Sequence, residues 1–550
     1  MLFRSEASAR LTVGNYGKLR GEGAVSGPLI KNRVMGNVAI LRSTGEGFVH
    51  DLNHPNDPLG SDDDWAGRGQ LRTILGNQSE LLLSGDYARL EGVPLTRAKP
   101  IRAKPGFSFD NPAGLWTVRT SDLTSGKNIQ AGASAKLAVR LNATTSLASL
   151  TAHRESNYRF FFDADATELS VLTGDVPDLL RQTSEELTVV RRTPKLTWIG
   201  GAFFFHDHNE GQVEITASSA GSQTRLFPRI ETAAWALFGE ATYNASSRIG
   251  LTGGLRYTDE QKELENTGGV YRLGTAVLAD PATFYSYADK TASNAWTPKG
   301  VVQVRASPDT LIYVSATRGF KSGGFNTSAR VPGKAFGPEF AWNYEGGLKS
   351  TTANGRVRAN TAVFYNNYRD LQVLSASAPG MLDITNAGSA TIKGVEVEVT
   401  AAGRGIQLEG AVSRLEATYG RYSARGVGGA LIDAAGKRLS NAPGWSGSAS
   451  AAYRSAADRS WTATARADVA WQSRVFFTPA NDGIETQGRY GLVHMRVGFE
   501  PRSHRWEMAV YVRNVGNRAY ITATENAAPT AFTARPGEPR RWGTQFTIRY

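Results

Sequence analysis

In Trp461–Gln472 the odd positions are Trp461, Ala463, Ala465, Ala467, Val469 and Trp471, while the even ones are Thr462, Thr464, Arg466, Asp468, Ala470 and Gln472. That alternation is a β-strand with one apolar face. At about 3.3 Å per residue the two tryptophans lie roughly 33 Å apart, and a tilt near 40° projects this to about 25 Å. Such a span matches the apolar band of an outer-membrane barrel with an aromatic girdle at each edge. Strands of soluble sandwiches average five or six residues, about half as long. The same period recurs at Trp506, Met508, Val510 and Val512, at Trp542, Thr544, Phe546, Ile548 and Tyr550, and at Val395, Val397 and Val399 around Glu396 and Glu398.

A helical membrane protein is excluded, because a spanning helix needs about 18 consecutive apolar residues and the uncharged run Leu196–Phe205 falls well short. One large buried core is poorly supplied: the apolar fraction is 41%, below the roughly 45–50% of soluble domains. Aromatic residues at 10% exclude disorder. With no cysteine, disulfide scaffolds, thiolate metal sites and cysteine nucleophiles drop out together. No linker or low-complexity tract divides the chain, so residues 1–550 read as one domain.

Short polar turns, ten of them from Ile30–Asn32 to Pro501–His504, alternate with eleven mostly longer connections, from around Asn15 to Thr524–Glu538. Together they join 22 strands. Short turns on one side and long loops on the other give the expected fold class: all-β, a transmembrane antiparallel β-barrel of about 22 strands, long loops outward.

Six stretches, in order, resemble the C-terminal half of the TonB-dependent outer-membrane receptors, which import ferric siderophores and other scarce nutrients. They are Ser315–Asn326, Pro338–Lys349, Asn386–Glu398, Asn441–Ser446, Arg513–Tyr520 and Pro536–Tyr550. The resemblance implies a monomer in the outer membrane of a Gram-negative bacterium, in contact with its lipid and lipopolysaccharide. It implies a small-molecule or metal-chelate substrate, no cofactor and no catalysis, and energy from TonB delivered through a plug. Signal peptide, TonB box and plug are not recognisable in this chain, so the barrel is expected without a plug domain and with an empty lumen. Truncation and a plug supplied by a partner polypeptide both explain this, and the missing export signal favours truncation.

Trp461, Trp471 and Trp542 are expected to face outward at the girdles, and Tyr550 to resemble the terminal aromatic residue read by the assembly machinery. Ser322, Gly323 and Gly324 follow a strand where the chain leaves the membrane, and glycine permits the bends of a rim. Glu345 and Lys349 share the strand parity of Asn343, so they should face the polar lumen as part of a salt-bridge ladder.

Net charge is +12, from 62 basic and 50 acidic residues, but the basic residues are spread along the chain. Their one concentration, Arg97, Lys99, Arg102 and Lys104, lies in a proline-punctuated loop without a stacking aromatic, so nucleic acid is not expected. A solvated face or lipid contact is the plain reading. The sharper one is capture of an anionic substrate at the barrel mouth. His206 and His208 flank Asp207, and on a strand their imidazoles point the same way about 7 Å apart, which makes them candidate metal ligands. A strand end entering a polar loop, with Phe203–Phe205 at the girdle, explains the same residues. Asp57 and Asp62–Asp64 lack the Gly and Glu positions of an EF-hand loop. The competing fold, a soluble all-β carbohydrate-binding or adhesion module, requires Val469, Trp471, Trp542, Phe546 and Ile548 to lie against a core.

Overall fold

A computed structural model describes residues 5–95, 99–352, 354–378, 381–426, 430–455, 460–526 and 528–550. Its main sheet is antiparallel and closed. Glu6–Gly14 pairs on one side with Lys18–Ile30 and on the other with Arg541–Arg549, so the first and last strands complete the ring. Closure removes both sheet edges, the condition for a strand array to survive in lipid, where unpaired N–H and C=O groups have no water to bond.

The ring holds 22 strands if Leu196–Gly211 and Val213–Ala217 are counted as one. Both segments keep a single register against Leu172–Arg192 and against Ser222–Asn244. The break at Gln212 has a local cause. Gln212 N–H donates to the Pro177 carbonyl at 2.9 Å, but proline has no N–H to return the bond.

Eight of the ten short turns occur where the sequence places them; the other two, Thr352–Gly355 and Ala456–Ser460, include residues outside the described ones, and the strands flanking each of them pair as hairpins. Two of the turns, Asn354-Gly355 and Arg404-Gly405, have positive φ at both residues (57° and 85°; 52° and 80°), which suits tight hairpins. Several strands are longer than expected. Ser222–Asn244 and Ile249–Arg272 continue through stretches read as loop, Gly211–Arg229 and Thr267–Thr291, because their ladders carry on beyond the membrane.

Cross-strand neighbours share a face, so the pairing sorts each residue outward or inward. One outward row runs Trp471, Gly447, Val412, Val397, Thr361, Leu348, Ile312, Val304, Ile249. The inward row beside it includes Asp468, Ser450, Glu409 and Thr400. Apolar residues outside and polar ones inside are the reverse of a soluble sandwich, and the exposed Val469, Trp471, Trp542, Phe546 and Ile548 cover no core. Trp461 and Trp471 face outward near opposite ends of their strand, Trp461 against Trp506 with ring centroids 5.3 Å apart. Trp542 lies on the outward face of the last strand, and Tyr550 N–H donates to Ala7 O at 2.8 Å with its side chain 88% exposed.

Candidate functional site

The polar inner wall and the loops above it enclose a chamber in which a solute can be recognised. Near the short-turn end, Glu507 accepts from Arg496 and from Arg549 at 2.8 Å, and Glu500 is paired with Arg454, with His504 at 3.2 Å and with Arg549 at 3.8 Å. Further round, Asp86 accepts two bonds from Arg154, and Lys299 meets Glu240 at 2.8 Å. Glu345 and Lys349 do face the lumen, as their parity requires. Tyr313 links them in place of a direct ion pair: its hydroxyl donates to Glu345 at 2.6 Å and Lys349 Nζ lies 5.6 Å from its ring.

Higher on the wall, Arg256 lies 5.6 Å from the ring centroids of both Phe203 and Phe238. A guanidinium between two rings makes a platform that is both apolar and cationic. Phe203 and Phe205 therefore line the lumen, and of the Phe203–Phe205 run only Phe204 joins the outer girdle, since a strand cannot turn three consecutive side chains the same way.

Folded loops surround the mouth. Lys99–Ala103 pairs with Ala531–Pro536, which pairs with Ile521–Glu525, so two connections far apart in sequence form one small sheet. Phe48, Val49, Leu59 and Val118 make a local apolar core under a parallel pair, His50–Asp51 with Thr117–Val118. Asp163 and Asp165 are buried together. Asp163 accepts from the backbone of Ser121, Asp165 and Ala166, and desolvation, then the neighbouring Asp165, pushes its pKa up to about 7. At the rim, Gly323 N–H donates to Ser293, and a Cβ at Gly323 would come within 2.4 Å of Phe336 O, so close backbone approach requires glycine there.

The basic cluster does not project as a group. Lys99 is 6% exposed and donates to the carbonyls of Pro112 (2.5 Å) and Thr117 (2.9 Å). Lys104 donates to Asn526 O (2.5 Å) and Ala528 O (2.7 Å) above the Phe532 ring. Burial lowers the pKa of both lysines, and both ammonium groups are committed to holding loops. Arg102 is exposed, and Arg97 lies outside the described residues. His206 and His208 do point the same way, on the outer face above Phe204. Their nitrogens meet carboxylates: His206 meets Glu231 at 3.2 Å, and His208 meets Glu231 and, at 2.9 Å, Glu210. Among the described residues no three His, Asp or Glu side chains are arranged to hold an ion. Asp62 is taken by Lys18, at 2.6 Å, and Asp63 by Arg42.

The sequence profile of the family described as TonB dependent receptor-like, beta-barrel matches residues 53–515. The chain belongs to the TonB-dependent receptors. Such a barrel places it in the Gram-negative outer membrane. Among similar curated proteins, the metal-pseudopaline receptor CntO of Pseudomonas aeruginosa UCBPP-PA14 is 27% identical over 270 residues, 48% of this chain and 35% of that receptor. The pesticin receptor of Yersinia enterocolitica is 28% identical over 190 residues, 33% of this chain and 26% of its own length. The receptor barrel thus spans about a third or less of the curated relatives it matches.

Its fold is that of solved receptors. The ferric yersiniabactin uptake receptor FyuA from Yersinia pestis superposes with a TM-score of 0.82 at 18% identity, over 100% of this chain and 80% of FyuA. The siderophore receptor PiuA from Acinetobacter baumannii gives 0.78 at 13% identity, over 100% and 82%. The family is one of receptors and transporters. Sequence reasoning missed the Phe203, Phe238 and Arg256 platform of this receptor barrel. Its signal was present in the alternation of Phe203 and Phe205 around outward Phe204.

Proposed function

We propose that the chain is the barrel of a receptor for active uptake of a small metal chelate such as a ferric siderophore, energised through TonB acting on a plug. The observation that carries this reading is the lumen: a wall of paired charges, the Arg256 platform above it and folded loops over the mouth. A 22-stranded barrel is too wide for its own side chains to fill, and transporters of this size work with a plugged lumen. The proteins it resembles include a ferric yersiniabactin uptake receptor, FyuA, and a metal-pseudopaline receptor, CntO, which supports a chelate as substrate. Arg102, an exposed member of the basic cluster, contributes steering of an anionic chelate, an effect strongest at low salt, where screening is weakest.

The test is accumulation of labelled ferric chelates by cells in which this barrel, joined to a plug, replaces the resident receptor. Saturable uptake that disappears when TonB is deleted is the expected result. Uptake that persists without TonB and rises linearly with concentration would mean a passive pore.

A further inference from the structure

The outer wall carries an apolar depression of about 640 Å³ within the membrane belt. It is lined by the triplets Gly300–Val302, Val314–Ala316, Tyr344–Gly346 and Val363–Tyr365. In each triplet the first and third residues face outward, so the middle one contributes its backbone. The hollow exists because small residues meet there. A Cβ on Gly300 would touch nothing within 4 Å, and one on Gly346 only a backbone oxygen at 3.9 Å. Tyr344, Val302 and Val363 form its walls.

Arg318 stands on the same face two residues above Ala316, about 7 Å nearer the loops. Its guanidinium stacks on Phe340 at 4.4 Å and donates to Trp296 O at 3.3 Å. Arg369, the cross-strand partner of Phe340, faces outward and is exposed at the end of its strand. Among the described residues neither arginine pairs with a carboxylate, whereas other outward cations do: Arg42 with Asp63, Arg181 with Glu155, Lys393 with Glu416. Two unneutralised guanidiniums beside an aromatic floor, at the level where lipid headgroups begin, are donors for a phosphate.

We propose that Arg318, Arg369 and the hollow beneath them form a binding site for one lipopolysaccharide molecule of the outer leaflet. Its phosphate lies between the arginines, and an acyl chain fills the groove lined by Gly300, Val314 and Ala316. The charge complementarity selects an anionic lipid, and the depth of the groove holds one chain against exchange with the bulk leaflet.

The test is native mass spectrometry of the purified barrel titrated with lipopolysaccharide in phosphorylated and enzymatically dephosphorylated forms. The intact barrel is expected to bind the phosphorylated form about tenfold more tightly, the effect of one charge-assisted hydrogen bond. Arg318→Gln with Arg369→Gln should abolish that preference, and Arg42→Gln should leave it unchanged. Gly300→Leu with Gly346→Leu should weaken both forms by filling the groove. Equal affinity of the intact barrel for the two forms overturns the proposal without recourse to any variant. So does a preference that survives loss of both arginines, or groove filling without effect, which would leave only the ordinary lipid annulus.

Discussion

Glu500 offers a test of what the lumen ladder contributes to stability. It is 7% exposed and meets Arg454, His504 and Arg549, whose side chains are 52%, 55% and 41% exposed. Removing one partner of a fully buried pair costs about 3–5 kcal/mol, and breaking an exposed pair costs about 0–1. Here the anion is dry but its cations can be re-solvated by lumen water, so Glu500→Ala should destabilise the barrel by about 2 kcal/mol. Glu500→Gln, which keeps the volume and one acceptor oxygen, should cost about 1 kcal/mol. Arg549 also donates to Glu507 at 2.8 Å, so Arg549→Gln should exceed Arg454→Gln. The assay is guanidinium unfolding in detergent micelles followed by tryptophan fluorescence, since Trp461 and Trp506 lie at the same end of the barrel. A double-mutant cycle of Glu500→Gln with Arg454→Gln should show coupling of about 0.5–1.5 kcal/mol. Additive costs, with Glu500→Ala below about 0.5 kcal/mol, would show that the network organises the lumen without stabilising it.

The Asp163 carboxyl has a folded pKa of about 7, raised from 3.8 by desolvation and then by Asp165. Its contribution is therefore fully present below the unfolded value and lost as pH rises through 7. Hydrogen-exchange protection in 163–172, with the intrinsic pH dependence of amide exchange divided out, should be greater at pH 5.5 than at pH 8, and Asp163→Asn should flatten that difference; an unchanged profile in the variant would assign it elsewhere. Lys104→Met keeps the stem over Phe532 but loses two bonds to carbonyls, and should speed exchange in 531–536 by an amount equivalent to about 2 kcal/mol, while Arg102→Gln should not. The 550-residue chain refolded alone in planar bilayers should conduct as a large, weakly selective pore, and a tight barrel without conductance would contradict the reading of the lumen.

The barrel was legible because a membrane strand has only two faces and the chain alternates between them. Parity alone sent Trp461 and Trp471 outward and Glu345 inward, with no knowledge of neighbours. What parity cannot supply is register. The Arg256 platform needs Gly201 opposite Phe238 and Gly239 opposite Leu255, pairings set by hairpin geometry and by which wide side chains fit beside glycine. Lys104 was misjudged for a stronger reason: its carbonyl partners lie more than 420 residues away in sequence, on a loop from the other end of the chain.

That difference has a consequence for specificity. Within the belt, lipid on one side and water on the other make burial a sequence-local property. Above it both faces are wet, alternation stops carrying information, and the fold depends on contacts such as Lys99–Ala103 with Ala531–Pro536. Because the first and last strands are neighbours, that pairing needs no long reach, and it ties a loop near the start of the barrel to one near its end. On the proposed uptake function, a substrate entering between them would meet a surface assembled by ring closure. Substitutions in 99–104 and in 521–536 should therefore couple in binding, and purely additive effects on chelate affinity would show that the two loops act apart.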